Sequence, residues 1–307
     1  MTPQRVAAID CGTNSTRLLV AEADGSGGLV QLDRQMRITK LGQGVDRSGR
    51  LDTEAFGRTI EVLRDYHRTI EELGATRVRM TTTSAARDAE NRDEFFAAAV
   101  NAVGAEPELL SGSEEAELSF RGATAGLDPA TGPFLVFDLG GGSTEFAVGT
   151  EQCDGALSLN VGCVRLSERF IEHDPPRPEE LTAAISLTEA HLDDVLRELP
   201  ESQAAETVIG LAGTVSNVAQ VEQGLLTYDR EKVHHFTLTR SAAEDVFRTL
   251  ATEDREHRRH NPGLEQGRVD TIVAGCCILV AIFRTFGLDQ IMVSEADILD
   301  GLALSQL

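Results

Sequence analysis

The chain has few basic residues for its many acidic ones. It carries 28 lysines and arginines against 50 aspartates and glutamates, and its formal net charge is −22. Such a surface repels nucleic acid and anionic membranes, so we expect neither as a partner. It also repels a polyanionic substrate at long range. A phosphate site would therefore have to be a local positive feature made of backbone N–H groups, arginines or a bound cation.

Cysteines and long apolar segments are also scarce. The five cysteines are odd in number and include no C-x-x-C spacing, which argues against a disulfide framework or a zinc site. Reduced thiols are typical of cytosolic proteins, so we expect a cytoplasmic location. The longest apolar run, 272–283, is too short to cross a bilayer. The first residues lack the pattern of a signal peptide.

The length and the order of the patterns predict two α/β domains. A chain of 307 residues favours two domains of about 150 residues each. Apolar strand patterns alternate with helical ones, which is typical of α/β layers. The densest cluster of glycine and proline lies at 126–133. We therefore predict domain I over 1–126, domain II over 127–295, and a closing helix within 296–307 that returns to domain I.

Hydrophobic periodicity places most of the elements. The clearest helix follows Asp52, where apolar residues recur every three or four positions as far as Leu73, with Gly74 as a C-cap. The predicted strands are 6–10, 17–23, 36–41, 78–82, 108–110, 134–138, 208–212 and 291–294. The other predicted helices are 89–103, 114–121, 179–199, 215–223, 241–252, 268–286 and 296–304.

Residues 9–21 are partly repeated 128 positions later, in residues 137–149. Each copy has the pattern of a strand, a glycine turn and a second strand. The repeat predicts two similar half-domains that face one another, with a cleft suited to a phosphate chain and a divalent metal ion. The matching pairs are Asp10 and Asp138, Gly12 and Gly140, Ser15 and Ser143, Thr16 and Thr144, and Val20 and Val148.

The two turns contain residue types suited to binding phosphate and metal. Glycine lets backbone N–H groups approach an anion closely, and neighbouring hydroxyls add donors. Asp10 and Asp138 stand at strand ends, where a carboxylate can bind Mg²⁺ or its water. Alone, the first turn is equally consistent with an ordinary hairpin. The copies differ where the first has Arg17, a cation for phosphate, and the second has Glu145, a further carboxylate.

Three other features have both a structural and a functional interpretation. Gly213 and Thr214 follow a strand and open a helix, which is either a common connection or an anion site. Glu114 and Glu115 lie in the first turn of a helix, where the helix dipole favours acidic residues, or where one of them activates water. Guanidinium groups match phosphate well. The candidate arginines, which composition alone does not rank, are Arg87, Arg165 and Arg268.

Together these motifs resemble the exopolyphosphatase/guanosine pentaphosphate phosphatase (Ppx/GppA) family, in its short two-domain form. The resemblance covers nearly the whole chain. It implies two actin-like (ribonuclease H-like) domains of the α/β class, with the active site in the interdomain cleft. The matching segments are 8–15, 110–116, 136–145, 161–166, 213–214 and 293–294.

The resemblance also implies roles for individual residues. Glu115 corresponds to the catalytic carboxylate of the family. Asp138 and Glu145 correspond to acidic positions that serve metal and water, and Asp10 is the candidate metal ligand of the first turn. The segment 294–301 lacks the arginine often found there and so departs from the family pattern for a phosphate contact from the last helix. The expected phosphate-binding residues are Gly12, Asn14, Ser15, Arg17, Arg87, Gly140, Gly141, Gly142, Ser143, Gly213, Thr214 and Arg268.

The expected activity is metal-dependent hydrolysis of terminal orthophosphate from inorganic polyphosphate, with short chains as candidate substrates. Mg²⁺ is the expected cofactor, with Mn²⁺ as the second choice. The first alternative is the same hydrolysis of guanosine pentaphosphate. The others are an actin-like ATPase or sugar kinase, and a non-catalytic phosphate sensor. The oligomeric state stays open, a homodimer included.

Overall fold

The computed structural model describes residues 4–25 and 28–307 of the chain. It divides into two compact units. Unit 1 consists of Met1–Gly126 together with Asp297–Leu307, and unit 2 is Leu127–Ala296. Each unit contains one mixed β-sheet. In the described part of the chain, every helix is too short or too polar to traverse a bilayer.

Strands and helices alternate along most of the chain. The strands are β1 (Arg5–Cys11), β2 (Ser15–Ala23), β3 (Leu29–Ile38), β4 (Arg77–Thr82), β5 (Pro107–Leu109), β6 (Phe134–Leu139), β7 (Thr144–Gly149), β8 (Cys153–Leu159), β9 (Thr207–Leu211), β10 (Thr237–Thr239) and β11 (Gln290–Val293). The helices are α1 (Val45–Ser48), α2 (Thr53–Leu73), α3 (Ser84–Arg87), α4 (Arg92–Val103), α5 (Gly112–Thr124), α6 (Cys163–Phe170), α7 (Pro178–Glu198), α8 (Ala212–Glu222), α9 (Arg230–Val233), α10 (Arg240–Thr252), α11 (Arg255–Arg258), α12 (Ile272–Thr285) and α13 (Ile298–Leu304).

The two sheets share one topology. The sheet of unit 1 has the order β3-β2-β1-β4-β5, and that of unit 2 has the order β10-β11-β9-β6-β7-β8. In each, the first three strands of the unit form an antiparallel meander. The remaining strands run parallel to the first, except for β10, which is added antiparallel at one edge. This confirms the predicted α/β fold of two actin-like domains.

The sheet of unit 1 is covered on both faces, as alternation along β1 shows. Ile9 packs into the cluster that includes Leu63 of α2 and Phe95 of α4. The neighbouring Ala8 packs into the opposite cluster, which contains Leu302 of α13. Successive side chains of a strand point to opposite faces, so a strand buried on both sides is continuously apolar.

Helix α13 packs closely against α5 within unit 1. A Cβ atom on Gly122 of α5 would lie 1.8 Å from the carbonyl oxygen of Asp297, and one on Gly301 would lie 2.0 Å from that of Leu118. Both distances are shorter than any real contact, so the two helices can approach this closely only with glycine at these positions.

The core of unit 2 is built around α12. Every residue from Ile272 to Phe283 is buried. Around it lie the apolar side chains of β6, β7, α7, α8 and α10. Phe146 of β7 stacks on Phe286, just after α12, with ring centroids 5.9 Å apart. The apolar run that the sequence marks as too short for a bilayer is therefore a central core helix.

Several element predictions need correction. The strand predicted at 36–41 is β3, which begins at Leu29 and ends at Ile38. The helix predicted from 268 begins only at Ile272, after a 3₁₀ turn over Gln266–Arg268. The sequence interpretation also missed β8, α6 and β10. Strand β3 is an edge strand with half-buried polar residues on both faces, so it lacks the alternation that identifies a strand.

Candidate functional site

The two glycine turns have the same local geometry. In the first, the N–H of Gly12 donates to the carbonyl of Ser15 at 3.0 Å, and in the second that of Gly140 donates to Ser143 at 3.0 Å. A Cβ atom on Gly12 would lie 3.2 Å from the carbonyl oxygen of Ser15, and one on Gly140 would lie 3.0 Å from that of Ser143. The repeat seen in the sequence is thus a repeated turn in the structure.

In unit 1 the candidate residues gather at one edge of the sheet. Strands β1, β4 and β5 are parallel, and Cys11 lies opposite Thr82, which lies opposite Leu109. The carboxyl ends of the three strands therefore coincide. The segments that follow them carry Asn14, Arg87 and Glu115 respectively. Ligands of open α/β sheets characteristically bind at this edge.

The first turn is held firmly by its neighbours. The carbonyl of Asn14 accepts the N–H groups of Thr39 and Lys40, at 3.1 and 2.9 Å. The hydroxyl of Thr13 bonds to that of Ser84, at the start of α3, over 2.8 Å. The turn is therefore fixed from two sides before any ligand binds.

Three buried polar side chains at the ends of β1 and β4 have atoms without a hydrogen-bond partner in the protein. Asp10, Asn14 and Thr82 are all buried, at 3%, 6% and 0% exposure. Oδ1 of Asp10, both side-chain amide atoms of Asn14 and Oγ1 of Thr82 have no hydrogen-bond partner within the protein. Leaving such a group unpaired costs about 1–3 kcal/mol, so Oδ1 of Asp10 and the side chain of Asn14, both at the first turn, are candidates for contacts with a ligand. Thr82 lies in register with Cys11 and therefore faces the side of the sheet opposite to Asp10. Carboxylate and amide oxygens suit Mg²⁺, which prefers hard oxygen ligands.

The other oxygen of Asp10 is bound by Arg17, its cross-strand neighbour. Oδ2 accepts from Nε at 3.1 Å and from Nη2 at 2.7 Å. Arg17 also forms an ion pair with Asp297. Burial raises the pKa of Asp10, and the charge of Arg17 acts against that shift. Arg17, which the sequence predicts as a phosphate ligand, thus holds a candidate metal ligand as well.

The structure separates the roles of the two glutamates of α5. Glu114 closes a capping box: its Oε2 accepts from the N–H of Ser111 at 2.8 Å, and this bond lowers its pKa. Glu115 instead turns inward and is only 6% exposed. Its Oε1 accepts from Nη1 of Arg87 at 3.0 Å, which also donates to the carbonyl of Leu110. Of the two, Glu115 therefore has the fixed, protected carboxylate.

In unit 2 the second turn is bound by a segment that the sequence analysis did not assign to any element. This is the start of α6, and a Cβ on Gly162 just before it would lie 2.3 Å from the carbonyl oxygen of Gly141. Each of the three glycines has a carbonyl that accepts from this segment. The bonds run from Cys163 N to Gly140 (3.0 Å), from Val164 N to Gly141 (2.8 Å) and from Arg165 Nε to Gly142 (2.9 Å).

The two acidic residues of the second turn face the same side of the sheet. Asp138 and Glu145 lie opposite each other in the β6–β7 pair, and directly opposed residues of an antiparallel pair share a face. Glu145 is buried and its Oε1 accepts from the hydroxyl of Ser158 at 2.7 Å. This pair is the counterpart of Asp10 and Arg17 in unit 1.

Arg268 lies against the first turn of α8, which directly follows β9. It is 8% exposed and its Nε bonds Glu265 at 2.7 Å. A Cβ atom on Gly213 would lie 2.0 Å from its guanidinium carbon. Burial raises the pKa of Cys163, and the charge of Arg268 and a bond to Thr214 oppose that shift. Gly213, Thr214 and Arg268 are thus brought together beside Cys163, which binds the second turn.

Two site residues were not given a role from the sequence. Thr82 stands at the end of β4 and has an unpaired, buried hydroxyl. Asp297 lies 280 residues from its partner Arg17 along the chain. Its only local signal is the spacing to Asp300, which forms a capping box at the start of α13. The partnership of Asp297 with Arg17 cannot be read from a local pattern.

The fold and the paired glycine turns define a two-unit α/β protein of the actin-like class, and comparison with known proteins identifies it as a phosphatase. The chain belongs to the Ppx/GppA phosphatase family, whose model matches residues 19–307. It is 42% identical to Exopolyphosphatase 2 of Mycobacterium tuberculosis, with 99% of each chain covered. The family resemblance stated from the motifs is therefore confirmed.

Solved structures agree with this assignment. An exopolyphosphatase-like protein is 34% identical and superposes with a TM-score of 0.93 over 98% of each chain. The Aquifex aeolicus member of the Ppx/GppA family is 32% identical, with a TM-score of 0.83 over 99% of this chain and 97% of its own.

Proposed function

We propose that this chain is an exopolyphosphatase, which hydrolyses the terminal phosphoanhydride bond of inorganic polyphosphate and releases orthophosphate. The observation that carries the proposal is the inward Glu115, fixed at the same sheet edge as the first turn and its unpaired polar atoms. The similarity of the chain to a protein named exopolyphosphatase, over 99% of both chains, supports this choice of substrate.

Glu115 is proposed as the base that activates water. Its carboxylate orients a water molecule in line with the terminal phosphorus and accepts a proton as the new P–O bond forms. Arg87 holds Oε1 in place at 3.0 Å. Transition states of phosphoryl transfer are loose, so positioning and charge stabilisation matter more than the strength of the base.

The glycine turns are proposed to bind the phosphate groups. In unit 1, the binding residues are Gly12, Asn14 and Ser15, with Arg17 and Arg87 as the nearby cations. In unit 2, Gly213 and Thr214 would present N–H and hydroxyl donors, because α8 is eleven residues long and has an N-terminus suited to anions. The further binding residues of unit 2 are Gly140, Gly141, Gly142, Ser143 and Arg268.

A divalent cation, Mg²⁺ or Mn²⁺, is proposed as the cofactor. Asp10 would be its ligand in unit 1, with Asn14 able to supply a further oxygen donor. Asp138 and Glu145 would bind metal or its water in unit 2. A bound Mg²⁺ would offset the negative charge of the substrate phosphates.

The test is orthophosphate release from polyphosphates of defined length, with guanosine pentaphosphate and ATP assayed beside them at saturating Mg²⁺. We expect release from polyphosphate to be fastest, and short chains to be accepted. Faster release from guanosine pentaphosphate would indicate that this nucleotide, rather than polyphosphate, is the substrate. Release from ATP alone would indicate an ATPase. Tight polyphosphate binding without release under Mg²⁺ or Mn²⁺ would indicate a phosphate sensor.

A further inference from the structure

A buried network of charges links Asp10 to the start of the last helix of unit 1. Arg17 binds both Asp10 and Asp297. Arg34 of β3 approaches Asp297 at 3.7 Å and bonds Asp300 at 2.6 Å. The side chains of all five residues are at most 18% exposed. Two arginines thus bridge three aspartates from β1 and α13.

Asp297 has two tasks in this network. Its Oδ1 caps α13 by accepting the N–H of Leu299 at 3.0 Å. Its Oδ2 accepts from Nη1 of Arg17. A neutral asparagine caps a helix about as well as aspartate. The negative charge of Asp297 is therefore needed for the arginine rather than for the helix.

Arg17 meets Asp10 through only one of the two carboxylate oxygens. An arginine–carboxylate pair commonly bonds through two parallel N–H groups to two oxygens. Here Nε and Nη2 both donate to Oδ2 of Asp10, at 3.1 and 2.7 Å, while Nη1 is turned to Asp297. Oδ1 of Asp10 is left buried and without a hydrogen-bond partner in the protein.

We propose that Asp297 is a positioning residue for cation binding: by holding Arg17, it keeps Oδ1 of Asp10 available to a divalent metal ion. This inference rests on the proposed role of Asp10 as a metal ligand. Without the charge on residue 297, the guanidinium turns toward Asp10 and engages both of its oxygens. Metal then has to compete with Arg17 for the same atom.

The test uses the full-length chain, stripped of metal and titrated with Mn²⁺, with free Mn²⁺ followed by electron paramagnetic resonance. The binding component that disappears in Asp10→Asn marks the site. We expect Asp297→Asn to weaken that component about tenfold, the lower end of the range for partners of metal ligands. In turnover, the apparent constant for Mg²⁺ should rise, while KM for polyphosphate at saturating Mg²⁺ stays unchanged.

Asp300→Asn is the matched control. It removes the same charge from the same helix start, but Asp300 bonds Arg34 and the N–H of Asp297 rather than Arg17. We expect its Mn²⁺ affinity to stay within about twofold of the wild type, a change no larger than the loss of a distant charge produces. Thermal unfolding of both variants shows whether either change acts by loosening α13.

The outcomes separate the inference from the proposed function. Tenfold weakening in Asp297→Asn alone, with both variants equally stable, supports positioning. Equal weakening in Asp297→Asn and Asp300→Asn would show that the effect comes from the change in net charge, and would overturn the positioning role of Asp297. Wild-type affinity in Asp297→Asn, with binding lost in Asp10→Asn, would overturn the positioning role and leave Asp10 as a ligand. Unchanged binding in Asp10→Asn would overturn the role of Asp10 and the inference with it.

Discussion

Replacing Glu115 with glutamine is the most informative single change in this protein. Glutamine has the same shape, and its Oε1 can still accept the bond from Arg87 that spans 3.0 Å in the wild type. What is lost is the charge and the ability to take a proton from water. General-base catalysis contributes about 10²–10⁴ in rate. We therefore expect kcat to fall by about 10² or more, equivalent to about 2.7 kcal/mol of transition-state stabilisation.

Substrate binding should change little, because the phosphate contacts are assigned to other residues. The assay is continuous orthophosphate release at saturating Mg²⁺, with polyphosphate affinity measured separately by titration. Glu114→Gln is the control: Glu114 is exposed and occupied in the capping box with Ser111. We expect it to keep turnover within about threefold, since surface changes of this kind are mild. Turnover near that of the wild type in Glu115→Gln would remove Glu115 from the mechanism.

Three further predictions concern packing, thiols and helix capping. The Cβ of an alanine at position 213 would lie 2.0 Å from the guanidinium carbon of Arg268. Gly213→Ala should therefore force Arg268 aside, lower phosphate release about tenfold or more, and lower the free energy of unfolding by about 1–3 kcal/mol. Gly57→Ala is the control, because nothing lies within 4 Å of a Cβ atom at this position of α2, and it should raise the free energy of unfolding by about 0.5–1 kcal/mol. Equal effects of the two alanines in denaturant titrations would contradict the predicted clash at Gly213. An aromatic disulfide reagent should rapidly modify Cys153 alone in the native chain, because the other four thiols are buried; fast reaction of two or more would show the packing to be wrong. Asp52→Ala should lower the free energy of unfolding by about 1 kcal/mol by removing a cap that accepts two N–H groups at 3.0 Å, and Asp52→Asn should restore it.

The thiol prediction has an electrostatic as well as a steric basis. Burial raises the pKa of Cys11 and Cys163, and it raises that of Cys277 to about 12. A thiol must lose its proton to react. At neutral pH these residues are therefore slow to react both because they are covered and because they stay protonated.

The elements that the sequence predicts well are those with strong local signals. Helix α2 has a regular apolar stripe, a cap at Asp52 and a glycine at its end, and it was predicted within one residue. The repeated glycine turns carry their own signal, because both place glycine close beside a serine oxygen, where a side chain would fit only tightly. Strand β8, with partly buried residues along most of its length, has no comparable pattern and was missed.

The site shows the same division between local and distant information. The local pattern did not choose between Glu114 and Glu115, since both suit the first turn of a helix, and only the family resemblance selected Glu115. The capping box separates the two in the structure, because Glu114, three positions after Ser111, bonds the backbone N–H of that residue. The partnership of Arg17 with Asp297 depends on α13 packing onto β1 and α5 within unit 1, so it follows from tertiary structure alone.

The most direct test of the central claim is hydrolysis of polyphosphate in ¹⁸O-labelled water. If water attacks the terminal phosphorus, each orthophosphate released should contain one ¹⁸O atom from solvent and the shortened chain should contain none. Glu115→Gln should slow the appearance of this labelled product about 10²-fold or more. Label in the shortened chain, or the same labelling rate in Glu115→Gln, would contradict the account.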